Sequence, residues 1–350
     1  MAGDIPTGAA VVATSIAPAA NPRLTSVVPA ALRSFAANGF SVISVNPKEE
    51  IERVRSLYPG VAVVAASPRN PIAVGRYGAA LGSIFEAAAG CGMLGICNAD
   101  IVMLGSDIRA ALERDPDTFF AAQRLDIDRP GGNILGLYRR GVDAVFFDSG
   151  RYAALVEDEN LARFQLGAPF WDVVLPIAAS FHGPVAFVAP PFIVHVVHKP
   201  RVFGADYDIL RLWAIETLVR HAERYADDRP AARAFLSLFD TCGGRRSGAR
   251  DGRDVKNAMM AINVWRTRLE RDGRRRIAAT IVAEISASAL DQLKRPLGET
   301  PSDPERALAS RMDGAFSPRR VRQAIAAQLR AWRRERSERA AGARLAGLKF

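Results

Sequence analysis

The stretch LGICNADIV, residues 94–102, places an amide and a carboxylate inside what otherwise has the pattern of a buried β-strand. Asn98 and Asp100 stand two residues apart among small and apolar side chains. Burying an ionised carboxylate is costly unless it is paired or bound to a cation. Asp100 therefore either marks a strand end that reaches solvent or has a positive group beside it.

This stretch belongs to a series of short apolar runs that alternate with helical patterns. Strands are predicted over residues 9–16, 40–46, 61–67 and 93–99, and helices over residues 24–39, 48–60 and 75–90. Such alternation is typical of βαβ units, so it predicts an α/β fold with a mostly parallel sheet flanked by helices. Ligands of such sheets bind beyond the carboxyl ends of the strands, where Asn98 and Asp100 are expected.

The charge distribution divides the chain near residue 240. The net charge is +10, yet residues 1–240 hold 22 basic and 25 acidic residues, whereas residues 241–350 hold 25 basic and 12 acidic ones. We therefore expect an α/β domain over residues 1–240 and a basic, mostly helical C-terminal region over residues 241–350. Three widely spaced cysteines and the lack of an apolar run of spanning length predict a cytoplasmic protein.

Residues 317–345 of the basic region have apolar side chains on one helical face and many arginines on the other. This pattern leaves three interpretations open. The helix docks on an anionic membrane surface, which would make the protein peripheral at the inner membrane, or it binds nucleic acid, or it packs on the main domain. Nucleic acid is disfavoured because the segment has too few aromatic residues to stack bases.

Other polar positions are candidates for chemistry, each with a structural alternative. Asp100 suits a hard divalent cation, or it caps the next segment. His195 and His198 are three residues apart, so on one strand they face opposite sides and would not grip one metal together. Either one of them reaches the cleft as a metal ligand, or both are ordinary, partly buried histidines. Asp172 follows an aromatic pair at the start of a predicted helix, where it acts as a general base or as an N-terminal cap.

The order of these segments resembles the nucleotide-sugar-dependent glycosyltransferases of the GT-A fold, most closely the bacterial family-2-like members. The resemblance spans residues 10–203 and rests on VVATSI, SVISVN, CNADI in place of the Asp-x-Asp motif, QRLDI, GVDAVFF, LGAPFWDVVLP and VHVVHK. It implies a Rossmann-like nucleotide-binding half, an acceptor half, and transfer of a sugar from a nucleotide-diphosphate sugar to a glycan or lipid-linked hydroxyl.

Roles for particular residues follow from this resemblance. It implies a nucleotide-sugar site formed by Thr14, Ser15, Asn46, Arg76, Tyr77, Asn98 and Arg124. It implies an Mn²⁺ or Mg²⁺ site with Asp100 and one late histidine, His195 or His198, as ligands, and an acceptor pocket with Asp143 and Trp171. Asp172 would be the base that deprotonates the acceptor and so gives inversion at the anomeric carbon.

The chain departs from the family pattern at the metal motif, where Asn98 replaces the first acid. This replacement removes one charge from the metal site and keeps open a rival interpretation, a catalytically silent GT-A-fold scaffold in polysaccharide assembly. The first strand lacks a following GGxGTRL-like glycine loop, which disfavours a sugar-phosphate nucleotidyltransferase. GxGxxG and Walker-type loops are also missing, so dinucleotide and P-loop functions are excluded.

Overall fold

A computed structural model describes residues 7–18, 22–67, 78–103, 107–127, 134–137, 141–197, 205–247 and 251–276. The fold class predicted from the sequence is confirmed, because a single sheet is flanked by helices. Arg76, Tyr77, His198 and residues 317–345 lie outside the described residues, so the predictions made for them stay predictions.

The first half of the sheet is parallel and is covered on both of its faces. Its strands are β1 (Ala10–Thr14), β2 (Ser41–Asn46), β3 (Ala62–Ala65) and β4 (Met93–Cys97), in the order β3-β2-β1-β4. Between them run α1 (Pro22–Ala37), α2 (Ile51–Leu57) and α3 (Leu81–Ala87). Consecutive residues of β1 are fully buried, as expected of a strand covered on both faces. Asn98 and Asp100 follow the carboxyl end of β4.

The second half of the sheet is mixed. It contains β5 (Ile101–Met103), β6 (Phe119–Ile127), β7 (Ile134–Leu137), β8 (Ala144–Asp148) and β9 (Val185–Val196), together with α4 (Asp107–Arg114), α5 (Ala153–Val156) and α6 (Trp171–Ala179). The sheet continues β4-β8-β6-β9-β5, and β7 pairs with β6. β8 is antiparallel to β4 and β6, β5 is antiparallel to β9, and β6 and β9 are parallel. The register of β9 with β6 shifts between Val188 and Ile193, the interval that contains two consecutive prolines.

Three further helices complete the described part of the chain: α7 (Ala205–Tyr225), α8 (Pro230–Thr241) and α9 (Gly252–Arg276). α9 packs against β9, α7 and α8. Its Trp265 is buried beside Phe181 and Phe235 and donates its indole N–H to Ser180 Oγ at 3.1 Å. Apolar side chains of α9 thus lie in the same core as the α/β elements, and the domain boundary at residue 240 stays a prediction. None of the described helices combines the length and apolar character needed to cross a membrane.

A buried chain of polar side chains joins α5, α6 and α7. Asp158 accepts the backbone N–H groups of Asn160 and Leu161 on one oxygen and lies 2.7 Å from His221 Nδ1 through the other. His221 Nε2 is 2.8 Å from His182 Nε2. Burial, together with the neighbouring His221, lowers the pKa of His182 to about 4. His182 is therefore neutral at pH 7.

Candidate functional site

The positive group beside Asp100 is His195. The strand register places His195 on β9 directly between Asp126 on β6 and Ile101 on β5. Its Nδ1 is 3.2 Å from Asp126 Oδ1, and its Nε2 is 3.4 Å from Asp100 Oδ2. Burial by itself would lower the pKa of His195, but the hydrogen bonds to the two carboxylates outweigh it and raise the pKa to about 9. A buried imidazolium therefore bridges two acids at this end of the sheet.

Arg124 extends this cluster toward the centre of the sheet. Its guanidinium lies 2.8 Å from Asp126 Oδ1 and 2.8 Å from Asp143 Oδ1. Arg124 and Asp126 are two residues apart on β6, so both side chains lie on the same face of the sheet. The guanidinium predicted to bind the nucleotide sugar is thus held by two carboxylates and organises the cluster.

Asp143 is almost fully buried, at 6% exposure, and lies just before β8. Its Oδ1 accepts hydrogen bonds from Asn98 Nδ2 at 2.8 Å and Arg124 Nη1 at 2.8 Å. Its Oδ2 is buried and has no hydrogen-bond partner among the described residues. Burial raises the pKa of Asp143, and Arg124 and His195 oppose that rise. An orphaned carboxylate oxygen of this kind is suited to a hydrogen-bond donor from a ligand.

The amide at position 98 has a physical reason in this arrangement. Asn98 donates its side-chain N–H to Asp143 Oδ1, and its backbone N–H to the Asp143 carbonyl at 3.2 Å. An ionised aspartate at this position has only acceptors and would face another carboxylate. An asparagine in place of the first acid of the motif therefore gives the buried Asp143 carboxylate a hydrogen-bond donor instead of a second negative charge.

Asp172 enters the same cluster from the first turn of α6. Burial raises its pKa, the nearby Asp143 raises it further, and Arg266 and Arg124 oppose the rise, so that the pKa reaches about 7. The helix N-terminus favours the ionised form, yet desolvation is the larger effect here. The predicted base thus titrates close to neutral pH.

Sequence reasoning missed the contribution of α9. Arg266 Nε lies 3.0 Å from Glu270 Oε1 on the same helix, and Gln123 Nε2 on β6 lies 3.5 Å from that oxygen. Both charged side chains are largely buried. An Arg–Glu pair four residues apart normally indicates a solvated helix surface. Only the packing of α9 on the sheet brings Arg266 into the surroundings of Asp172.

Three residues predicted to line the nucleotide pocket end β1 and β2. Thr14 is fully buried, and its hydroxyl has no partner among the described residues. Ser15 is half-buried and lies close to Gly78. Asn46 is fully buried, accepts a hydrogen bond from Ser44 and donates to Ile16 O and Glu50. Its amide therefore holds the loop after β1, and the place of Asn46 beside the nucleotide stays a prediction.

Trp171 is the first residue of α6. It is 2% exposed and packs in the hydrophobic core. Its place in an acceptor pocket stays a prediction.

The described residues only partly fit a divalent metal ion. No group of three or more His, Cys, Asp or Glu residues in the described ranges has the arrangement of a metal site. Both ring nitrogens of His195 face carboxylates, so in this arrangement it is not available as a ligand. Asp100, with 17% of its side chain exposed, remains suitable. One carboxylate suffices for Mg²⁺ when substrate phosphates supply other ligands.

Comparison with known proteins finds no matching family model and no matching curated protein. Among solved structures, a mannosyltransferase from Pyrobaculum calidifontis in complex with GDP-Man and Mn²⁺ matches 87% of this chain and 85% of its own at 13% identity, with a TM-score of 0.40. An inositol-1-phosphate CTP transferase from T. maritima matches 59% of this chain and 96% of its own at 11% identity, with a TM-score of 0.36.

A putative glucose-1-phosphate thymidylyltransferase from Bacillus anthracis matches 57% of this chain and 98% of its own at 11% identity, with a TM-score of 0.36. These proteins include both a glycosyltransferase and nucleotidyltransferases. Similarities of this size do not decide between the two activities for this chain.

Proposed function

We propose that the protein is a glycosyltransferase that moves a sugar from a nucleotide-diphosphate sugar to an acceptor hydroxyl, with Asp172 as the general base. The observation that carries the proposal is the Asp172 carboxylate, which enters a buried charged cluster and has a pKa of about 7. General-base catalysis is most effective when the pKa of the base lies near the working pH.

The proposed reaction is a single displacement. The acceptor oxygen attacks the anomeric carbon while Asp172 takes its proton, and the bond between that carbon and the diphosphate oxygen breaks. The nucleoside diphosphate leaves with the electron pair, so the anomeric configuration is inverted. A hydroxyl of the bound sugar or acceptor donates a hydrogen bond to Asp143 Oδ2; the lack of another partner for this oxygen among the described residues supports the predicted place of Asp143 in the acceptor pocket.

Charge on the leaving diphosphate needs a cationic partner. Mn²⁺ or Mg²⁺ held by Asp100 and phosphate oxygens would supply it as a Lewis acid. In the described part of the chain the cluster has five carboxylates (Asp100, Asp126, Asp143, Asp172 and Glu270) and three cationic groups (Arg124, His195 and Arg266). Of these carboxylates, Asp100 keeps 17% of its side chain exposed and is therefore accessible to a cation. Thr14 and Ser15, at the end of β1, border the nucleotide.

The test is a screen of nucleotide sugars for release of the nucleoside diphosphate, with Mn²⁺, with Mg²⁺ and with chelator. A parallel arm supplies nucleoside triphosphates with sugar 1-phosphates and measures pyrophosphate. Diphosphate release that falls at least about 100-fold in Asp172→Asn, with Asp228→Asn on the exposed surface as control, supports the proposal. Pyrophosphate release alone would identify a nucleotidyltransferase instead.

A binding arm separates the enzyme from the scaffold alternative. Thermal-shift titration of nucleoside diphosphates with Mn²⁺ reports occupancy whether or not turnover occurs. Binding that weakens in Asp100→Ala supports the metal-bridged diphosphate. Binding without turnover of any nucleotide sugar would favour the silent scaffold.

The acceptor is proposed to be a glycan or lipid-linked hydroxyl, and the predicted helix over residues 317–345 would bring the protein to an anionic membrane surface. Co-sedimentation with anionic vesicles, comparing the full chain with a chain ending before residue 317, tests this. Equal sedimentation of the two chains would dismiss the membrane role of that segment.

A further inference from the structure

The carboxylate of Asp172 occupies space that any residue except glycine would fill at position 141. A Cβ built on Gly141 would lie 1.6 Å from Asp172 Oδ2 and 2.8 Å from its Cγ. Its three nearest heavy atoms all belong to Asp172. Gly141 is buried whereas Asp172 is partly exposed, so an added Cβ at position 141 would have to displace the Asp172 carboxylate. The positive-φ glycines do not include Gly141, so it is not required there for backbone conformation.

A second feature lies at the start of α6, immediately before Asp172. Phe170, two residues before it, has φ 81° and is the only non-glycine residue of the described chain with positive φ. Its ring packs against Tyr207 with centroids 5.1 Å apart. A bulky residue in the left-handed region is strained, and such strain persists where the surroundings hold it. Phe170 is the N-cap residue of α6, and Asp172 lies in the first turn of that helix.

We propose that Gly141 is a positioning residue for Asp172: its missing side chain forms the opening through which the carboxylate reaches Asp143, Arg124 and the bound acceptor. The catalytic part of this statement rests on the proposed function, while the positioning part does not. The methyl group of an alanine at position 141 would lie 1.6 Å from the present position of Asp172 Oδ2. The oxygen would therefore have to move until the two atoms are at least about 3 Å apart. A displacement of about 1 Å at a reacting group can lower a rate about 100-fold.

The first experiment needs no activity. A double-mutant cycle compares the urea unfolding midpoints of wild type, Gly141→Ala, Asp172→Ala and the double variant. Removing the Asp172 carboxylate removes the atoms that the new methyl group at position 141 would strike. We therefore expect Gly141→Ala to lower the midpoint clearly in wild type and by less than half as much in the Asp172→Ala background. Equal losses in both backgrounds would overturn the proposal.

The control is Gly150→Ala, in the turn after β8. Its added Cβ also has an aspartate oxygen as its nearest neighbour, Asp148 Oδ1, but at 3.4 Å, an ordinary contact. It should leave the midpoint nearly unchanged. If the single variant Gly141→Ala does not fold, the double variant can still be compared with Asp172→Ala. Failure of the double variant to fold would overturn the proposal.

The second experiment uses turnover and its pH profile. In Gly141→Ala we expect kcat for diphosphate release to fall about 100-fold with KM for the nucleotide sugar unchanged. We also expect the acid limb of the kcat profile to move to lower pH, because the displaced carboxylate leaves Asp143 and its buried surroundings. If the double-mutant cycle shows coupling but Asp172→Asn keeps full activity, then Asp172 is not the base. The positioning of Asp172 by Gly141 would still stand in that case. Full kcat and an unmoved acid limb in Gly141→Ala would overturn the catalytic part.

Discussion

Replacing Asp172 by asparagine is expected to make the fold more stable at pH 8 while abolishing the proposed catalysis. The carboxyl has an ordinary pKa of 3.8 and a folded pKa of about 7, because burial and Asp143 disfavour its ionised form. Between these two values the folded chain binds more protons than the unfolded chain, so stability falls as pH rises from about 4 to about 7. Above pH 7 the loss is complete.

The magnitude follows from the size of the shift. About three pKa units at about 1.4 kcal/mol each give an upper bound of about 4 kcal/mol. Because Asp172 is only partly buried, solvent screening reduces this value, and we expect about 2 kcal/mol at pH 8. Asparagine keeps the shape of the side chain and removes the charge, so it should recover this energy.

Urea unfolding at pH 4.5, 6 and 8 measures the effect. We expect the free energy of unfolding of Asp172→Asn to exceed that of wild type by about 2 kcal/mol at pH 8 and by much less at pH 4.5. Asp228→Asn, on an exposed carboxylate, controls for general effects of removing one negative charge. A gain that is the same at all three pH values, or a loss of stability at pH 8, would refute the reasoning about the buried carboxylate.

Three further variants test other parts of the structure. Asn98→Asp replaces a donor to Asp143 by a second acceptor, so urea unfolding at pH 8 should show a loss of about 1–3 kcal/mol; an unchanged midpoint would contradict this role of the amide. Arg124→Met strips the cation from two buried carboxylates and should cost about 3–5 kcal/mol in the same assay, whereas a loss below about 1 kcal/mol would show that the cluster is not coupled. The pKa of His182 is lowered to about 4, so the wild-type fold loses stability as pH falls from about 6.5 to 4. In His182→Gln that decline in the unfolding free energy should be smaller, and an unchanged slope would exclude His182 as its source.

Much of the candidate site was within reach of sequence reasoning because strand ends are readable from local patterns. The run LGIC followed by Asn98 and Asp100 indicated a strand that delivers polar groups to one edge of a sheet, and the structure places them there. QRLDI gives a weaker signal for a site, because Arg124 and Asp126 are two residues apart and so lie on the same strand face. The family resemblance points to Arg124 alone. For Asn46 and Trp171 the sequence does not show whether the side chain faces a pocket or the interior, because a polar or aromatic residue at a strand end or helix start gives the same pattern in both cases.

The sequence by itself determined the alternation of strands and helices, the α/β class and the carboxylates at strand ends. These follow from periodicity and side-chain chemistry, which act over a few residues along the chain. Only the tertiary structure decided which charges meet. The β6–β9–β5 register places His195 between Asp126 and Asp100, and the packing of α9 brings Arg266 from almost a hundred residues away to Asp172. The opening at Gly141 is likewise invisible in the sequence, because a missing side chain acquires meaning only from the atoms that another segment places beside it.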